Sequence, residues 1–224
     1  MTNISNYIIV ALVSYLIGSV HPSYIIGKVV GNFDIRSQGS NNAGASNVTF
    51  VLGWKWGIIT AFVDVMKGLV TVHYIHYISE WNVNLAYLSY MFVIFGHIFP
   101  FYMGFKGGKG LATSMGAYGG ITVPGTLILL VILIGVTVIT GYIGLATITV
   151  AVLMFIRTVY VYGFMSVPTL LNGIVMVVIL LKHAVNIKRL IKGEEVSLWM
   201  TIKKHSKKSI DTVEDTKNNK EENA

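Results

Sequence analysis

Three segments of this 224-residue chain concentrate chemical groups that bind anions. The first, residues 31–47, contains three glycines, four asparagines, three serines and one arginine in 17 residues. A stretch of this composition can direct many backbone N–H groups, hydroxyls and amides into one small volume. The same residue types also favour a turn-rich loop that binds nothing, and composition alone does not choose between the two.

The second segment, residues 104–110, reads Gly-Phe-Lys-Gly-Gly-Lys-Gly and leads directly into a predicted helix. Adjacent glycines allow successive backbone N–H groups to converge on an anion as a nest, and the helix N-terminus adds its dipole. The Walker A spacing is absent, so ATP is not predicted. Phosphate binding is favoured over a loop that only turns the chain. It is predicted for Lys106, Gly107, Gly108, Lys109 and Gly110.

The third segment, residues 182–195, lies where the last predicted helix ends. His183 and Asn186 are three residues apart and therefore share a helix face. Lys188 and Arg189 follow in the same stretch. A single histidine in such a place is more often a hydrogen-bonded structural residue, and a basic stretch is often only a topology signal.

The elements that must position these segments are membrane helices. The chain is 54% hydrophobic and 12% charged, whereas a soluble domain carries about 25% charged residues. It has no cysteine, which excludes disulfides, thiolate metal sites and cysteine nucleophiles. We predict an all-α, polytopic membrane bundle of seven transmembrane helices. They are residues 4–26, 54–78, 85–101, 111–121, 124–140, 142–159 and 167–185.

Charge placement predicts the orientation of this bundle. Of the 17 basic residues, ten lie from Lys182 onward, and seven spans put the other two segments on the same side as these. The positive-inside rule then places the N-terminus outside and the C-terminus in the cytoplasm of a multi-pass protein of the cell inner (plasma) membrane. Residues 1–200 form the predicted membrane domain, and residues 201–224 a disordered, charged tail.

Polar residues inside the predicted spans are costly in lipid unless they are paired. Asp64 and Lys67, three residues apart in the second span, are interpreted as a buried structural ion pair. His73 and His76 lie near the outer end of that helix, and His97 could cap the site from the third span. No carboxylate cluster accompanies these histidines, so no metal is predicted.

Taken together, the three segments predict a site for a phosphorylated small molecule at the cytoplasmic membrane surface. None of them has the spacing of a Ser-His-Asp triad or of zinc ligands. They resemble the bacterial acyl-phosphate:glycerol-3-phosphate acyltransferases, from the first span to about Glu195. The likeness rests on Asp34-Ile-Arg36, Gly39-Ser40 through Gly44-Ala-Ser-Asn47, Gly96-His-Ile-Phe-Pro100 followed by Phe105 through Thr113, and His183-x-x-Asn-Ile-x-Arg-Leu-x-x-Gly-x-Glu195.

The resemblance implies roles for individual residues. Catalytic roles fall on Ser40, Arg36, His183 and Asn186, and glycerol-phosphate binding falls on the glycine loop, residues 106–110. Glu195 matches a structural glutamate. Substrate binding is also predicted for Asn42, Asn47 and Arg189, and Arg36 could grip a small phosphate through two hydrogen bonds.

The implied reaction transfers an acyl group from acyl phosphate to the 1-hydroxyl of glycerol 3-phosphate. Its products are lysophosphatidic acid and phosphate, and it needs no cofactor. The family is thought to work without a covalent acyl-enzyme, the substrate's own phosphate helping to take the proton. The implied partners are both substrates, membrane lipids and, as a candidate, the enzyme that forms acyl phosphate. No nucleic acid is expected.

Three positions depart from the family pattern. Asn41 stands where glycine is usual, although Asn is the non-glycine residue that best tolerates a positive φ, so the loop shape can survive. Val20-His21-Pro22 replaces the usual Ile-Pro, and Ser197 replaces the usual lysine after the final glutamate. These departures leave the acceptor and donor preference open.

Two other functions fit parts of the sequence. A transporter of a phosphorylated solute would need polar residues at mid-membrane on several helices and an internal repeat. Only the second span has the former, and no repeat is found. A non-catalytic divergent relative would be favoured by loss of Ser40, Arg36 or the glycine loop, all of which are present.

Overall fold

The protein is a bundle of α-helices. The computed structural model describes residues 4–195, 197, 199 and 200, and in these residues no strand is found. The predicted tail, residues 201–224, lies outside the described residues. Between residues 4 and 195 the α-helices are α1 Ile4–Ser19, α2 Pro22–Gly31, α3 Ala45–Leu52, α4 Trp54–Ile78, α5 Val83–Ile98, α6 Leu111–Gly119, α7 Val123–Thr140, α8 Ile143–Tyr162, α9 Val167–Lys182 and α10 Ala184–Ile191.

Five helical stretches are long and apolar enough to cross a membrane, or six if the bent pair α9–α10 is one span. The first of them combines α1 and α2. The fourth predicted helix corresponds to α6, which has nine residues. At 1.5 Å per residue this is about half of the hydrocarbon thickness of a bilayer.

The first predicted span is divided at His21. Proline disfavours the helical conformation in the residue before it, and His21 is extended, with φ −114° and ψ 96°. A new helix, α2, then begins at Pro22, since proline is well suited to the first helical turn. The break lies inside the bundle, where His21 is fully buried.

Close helix packing fixes the position of α6, the helix that follows the glycine loop. Helix α5 lies at the centre and contacts α1, α4, α6 and α9. Small residues let the backbones of α4 and α6 approach each other. A Cβ at Gly68 would lie 2.4 Å from the carbonyl oxygen of Thr113, and one at Gly116 would lie 1.9 Å from that of Val65. The helix that follows the glycine loop is therefore held tightly on α4.

Candidate active site

Arg36 joins the first segment to the second. Asp34 caps the 3₁₀ turn Ile35–Ser37 by accepting from the backbone N–H of Arg36 at 2.9 Å. The guanidinium of Arg36 pairs with the Asp34 carboxylate at 2.7 Å, and this hydrogen-bonded pairing lowers the pKa of Asp34. Across the site, Nη1 of Arg36 donates to the carbonyl oxygens of Met103 and Lys106, at 2.6 and 3.1 Å.

These contacts correct one expectation about Arg36. Its Nε, both hydrogens of Nη1 and one of Nη2 are already donated to Asp34, Met103 and Lys106. A guanidinium has five N–H groups, so only one remains for a ligand. The two-bond grip on phosphate predicted for Arg36 is therefore not available in this arrangement, in which Arg36 holds two segments together.

The side chain of Asn47 holds the backbone of the first loop, which is the first segment (residues 31–47), through three hydrogen bonds. Asn47 is 2% exposed. Its Oδ1 accepts from the N–H of Ser40 at 2.8 Å, and its Nδ2 donates to the carbonyls of Ile35 and Gln38, both at 3.0 Å. Both amide donors are thus used by the protein backbone. The structure gives Asn47 a bracing role in place of the substrate contact predicted from the sequence.

The same brace explains the conformation around Ser40. Gly39 has φ +60°, and a Cβ there would lie 2.3 Å from Oδ1 of Asn47. Asn41 has φ 57°, so the asparagine does adopt the positive φ that a glycine would supply. Ser40 itself is exposed, and Asn42 is half-buried beside Gly44.

We expect Asn47→Ala to loosen this loop. It removes three hydrogen bonds, each contributing about 0.5–1.5 kcal/mol, and leaves the N–H of Ser40 without its acceptor. The carbonyls of Ile35 and Gln38 keep backbone donors, the N–H groups of Gln38 and Asn41. Thermal unfolding in detergent should show a lower midpoint, and catalytic efficiency should fall at least about tenfold. Ser46→Ala, at an exposed neighbour, is the matched control and should change neither quantity. An Asn47→Ala variant as stable as the wild type would contradict the bracing role.

The two central glycines of the second segment donate to the protein itself. The N–H of Gly107 donates to the carbonyl of Ile98, and that of Gly108 to the carbonyl of His97, both at 3.1 Å. The prediction that these two N–H groups form an anion nest is therefore wrong in this structure. Among the described residues, the N–H groups of Lys109 and Gly110 make no hydrogen bond.

Close contact with His97 explains why glycine is needed at both positions. A Cβ at Gly107 would lie 2.1 Å from the carbonyl oxygen of His97, and one at Gly108 would lie 2.1 Å from its Nε2. Any larger residue would have to displace the loop or the histidine. Glycine at both positions therefore allows the loop to pack directly against His97.

His97 contacts a buried polar network formed by Asp64 and Lys67. Lys67 and Asp64 form an ion pair at 2.7 Å, with side chains 6% and 1% exposed. Nζ of Lys67 also lies 2.7 Å from the carbonyl of Val20 and 3.0 Å from Nδ1 of His97. The same Nδ1 lies 3.3 Å from Oδ1 of Asp64, so it faces both a donor and an acceptor. The sequence-predicted pairing of Asp64 and Lys67 is present, and its structural role remains a prediction.

The third segment is joined to the second through Lys109. The ammonium of Lys109 donates to Oδ1 of Asn186, and Nδ2 of Asn186 donates to Oε1 of Glu195. Burial lowers the pKa of Lys109, while the nearby carboxylate of Glu195 acts in the opposite direction. Gly144 at the start of α8 leaves room for this chain, since a Cβ there would lie 3.3 Å from Cβ of Asn186.

His183 occupies the bend between α9 and α10. It is 3% exposed, and its Nδ1 lies 2.8 Å from the carbonyl of Ile179. A carbonyl only accepts, so Nδ1 carries the proton and Nε2 has a free lone pair in the neutral ring. No described residue donates a hydrogen bond to that lone pair.

Lys106 and Arg189 are exposed at the rim of the site.

Comparison with known proteins identifies the family. The family model described as "Glycerol-3-phosphate acyltransferase" matches residues 8–193, most of the chain. The chain belongs to the glycerol-3-phosphate acyltransferase family. The resemblance inferred from the three segments is confirmed, and this chain is a membrane-integral acyltransferase.

Relatives from several bacteria cover nearly the same residues. A glycerol-3-phosphate acyltransferase of Staphylococcus haemolyticus is 35% identical over 86% of this chain and 98% of its own length. One of Clostridioides difficile is 37% identical over 86% of this chain and 95% of its own length.

Two solved structures share the fold. Both are of PlsY, an integral membrane glycerol 3-phosphate acyltransferase. The glycerol 3-phosphate form has a TM-score of 0.78 at 28% identity, covering 85% of this chain and 94% of that one. The lysophosphatidic acid form has a TM-score of 0.76 at 26% identity, covering 88% and 98%.

The sequence of this acyltransferase did not predict the site contacts of three residues, His21, Ser23 and Tyr24. His21 stacks on His97 with ring centroids 4.6 Å apart, and its neighbour Ser23 donates to the carbonyl of Ala43. Tyr24 lies under the guanidinium of Arg36, 5.6 Å from ring centroid to Cζ. The one signal available was Pro22, which marks a break in an otherwise unbroken apolar run and so brings polar neighbours into the bundle.

Proposed function

We propose that this acyltransferase moves an acyl group from acyl phosphate to the 1-hydroxyl of glycerol 3-phosphate, giving lysophosphatidic acid and phosphate in phospholipid synthesis. One observation carries the proposal: the three segments form a single surface through direct contacts. Arg36 joins the first segment to the second, and Lys109 joins the second to the third. The glycerol 3-phosphate and lysophosphatidic acid forms of PlsY support the choice of acceptor and product.

Contacts at the helix ends support seven crossings and a cytoplasmic site. The start of α6, the start of α8 and the end of α9 lie together, because Lys109 and Gly144 both contact Asn186. The start of α7 and the end of α8 meet on the opposite side, where Arg157 donates to Thr122 at 3.1 Å. On this path α6 makes a crossing of its own, despite its length. With seven crossings, the positive-inside rule favours a cytoplasmic location for the three segments and an outside location for the N-terminus.

The acceptor's phosphate binds, in this proposal, where cations and free N–H groups meet. Lys109 is held at that point by Asn186, and the N–H groups of Lys109 and Gly110 precede the N-terminus of α6. The helix dipole favours an anion there. Lys106 and Arg189 at the rim add positive charge that attracts both phosphorylated substrates. Ser40, exposed on the braced first loop, supplies a hydroxyl donor.

The transfer step uses groups that the structure holds in place. The 1-hydroxyl oxygen attacks the acyl carbon, the bond from that carbon to the phosphate oxygen breaks, and phosphate leaves with the electron pair. Nε2 of His183 accepts the hydrogen bond of the attacking hydroxyl and orients it, and a phosphate oxygen of the substrate takes the proton. Asn186 keeps Lys109 near the developing negative charge.

The donor is tested with purified protein in detergent or nanodiscs. Palmitoyl phosphate and glycerol 3-phosphate should yield lysophosphatidic acid, detected by mass spectrometry, whereas palmitoyl-CoA should yield almost none. Coenzyme A needs room for an adenine and a pantetheine arm, which small phosphate-binding loops do not provide. Lys109→Met serves as the site-disabled control. Comparable rates with palmitoyl-CoA would defeat the donor assignment, and no product from either donor would favour the non-catalytic alternative.

A further inference from the structure

We propose that His21 is a positioning residue that sets the glycine loop, residues 106–110, against the first loop by acting through the backbone carbonyl of His97. This assignment rests on the proposed function, since it concerns how the glycine loop is held for the acceptor.

The hydrogen bond from His21 is made to the atom that seats the glycine loop. His21 is fully buried, and its Nε2 lies 2.7 Å from the carbonyl oxygen of His97. Because that oxygen only accepts, Nε2 carries a proton and donates. The same oxygen accepts the N–H of Gly108 at 3.1 Å. One carbonyl therefore links α1–α2, α5 and the glycine loop.

The first loop and the glycine loop meet beside His21. A Cβ at Gly107 would lie 2.9 Å from Nε2 of His21, so the ring lies against the glycine loop. Two residues later, Ser23 donates to the carbonyl of Ala43 in the first loop at 3.0 Å. That carbonyl lies 3.0 Å from a Cβ placed on Gly108. The His21–Ser23 turn thus holds both loops at the place where they touch.

A purely structural role explains these contacts less well. The helix break is already accounted for by Pro22, and an apolar side chain could fill the buried space without desolvating an imidazole. His97 would also keep Gly108 as a donor if His21 were lost, so no buried carbonyl would be left without a partner. Loss of His21 is therefore expected to change loop placement more than folding.

The test compares His21→Leu, which removes the donor, with His21→Gln, whose side-chain amide can donate from a similar position. We expect His21→Leu to raise KM for glycerol 3-phosphate about tenfold, with KM for acyl phosphate changed less than about twofold. His21→Gln should restore KM to within about threefold of the wild type. Failure of His21→Gln to improve on His21→Leu would overturn the assignment.

Tyr15→Phe is the matched control. Tyr15 donates to the carbonyl of Phe99 at 2.7 Å, so the variant removes a bond of the same kind from α1 to the end of α5, at a carbonyl that accepts nothing from the glycine loop. It should lower the unfolding temperature about as much as His21→Leu and leave KM unchanged. If both variants gave the same kinetics, His21 would be only structural.

A second measurement does not depend on activity. Lys106 is exposed, so trypsin can report on the mobility of the glycine loop. Cleavage at Lys106 in the folded protein should be faster in His21→Leu than in Tyr15→Phe and the wild type. An inactive wild type would refute the proposed function, and equal cleavage rates would refute the role of His21. The two failures are therefore distinguishable.

Discussion

Replacing Gly108 by alanine is expected to lower catalytic efficiency about 100-fold or more. The new Cβ would lie 2.1 Å from Nε2 of His97 and 3.0 Å from the carbonyl of Ala43, so either the loop or the imidazole must move. A displacement of about 1 Å in a catalytic site can cost roughly 100-fold in rate. Overpacking should also destabilise the fold by about 1–3 kcal/mol. Steady-state kinetics and thermal unfolding of the purified variant measure the two effects.

The matched control for this change is Gly135→Ala in α7. A Cβ at Gly135 meets no described atom within 4 Å, and alanine favours a helix over glycine by about 1 kcal/mol. This variant should be fully active and at least as stable as the wild type. If Gly108→Ala kept normal kinetics, the close seating of the loop on His97 would have no functional role.

Replacing Lys67 by methionine is expected to cause the largest loss of stability. Methionine keeps the length of the side chain but leaves Asp64, 1% exposed, with only the imidazole of His97 at 3.3 Å, and leaves the carbonyl of Val20 without its donor. Removing one partner of a buried ion pair costs about 3–5 kcal/mol. For a chain of this size that corresponds to a fall in the unfolding temperature of roughly 10 °C. The loss of stability would be measured as a lower yield of folded protein and a lower midpoint of thermal unfolding in detergent.

A second variant separates the lost charge balance from the lost packing. In Asp64→Asn/Lys67→Met both charges are removed, so no unpaired ion stays in the bundle, and the double variant should be more stable than Lys67→Met alone. The two changes should therefore be strongly non-additive, as expected for residues in contact. Additive losses would show that the pair contributes nothing beyond its separate side chains.

Local sequence determined most of the long apolar helices and some of their polar contacts, but not the division of the first span or the short helices α3 and α10. Helix α4 has the predicted bounds, Trp54–Ile78, because an apolar run with one polar pair has few alternatives in lipid. The pairing of Asp64 with Lys67 follows from helix periodicity, which brings residues three apart onto one face. The positive φ of Asn41 follows from the backbone preference of asparagine. The family, too, was recognisable, because its motifs are continuous stretches of sequence.

Tertiary structure alone decided how the site is assembled, because the deciding contacts join residues far apart in the chain. Composition shows that glycines 107 and 108 could form an anion nest, but their N–H groups donate to α5. Likewise, the guanidinium of Arg36, a group suited to phosphate, donates to carbonyls 67 and 70 residues away in the chain. His21 donates to a carbonyl 76 residues away. Residue type specifies which bonds a group can make, and packing specifies which partner comes within 3 Å. That is why the anion-binding character of the segments was predictable, and the division between residues that face the substrate and residues that hold the loops was not.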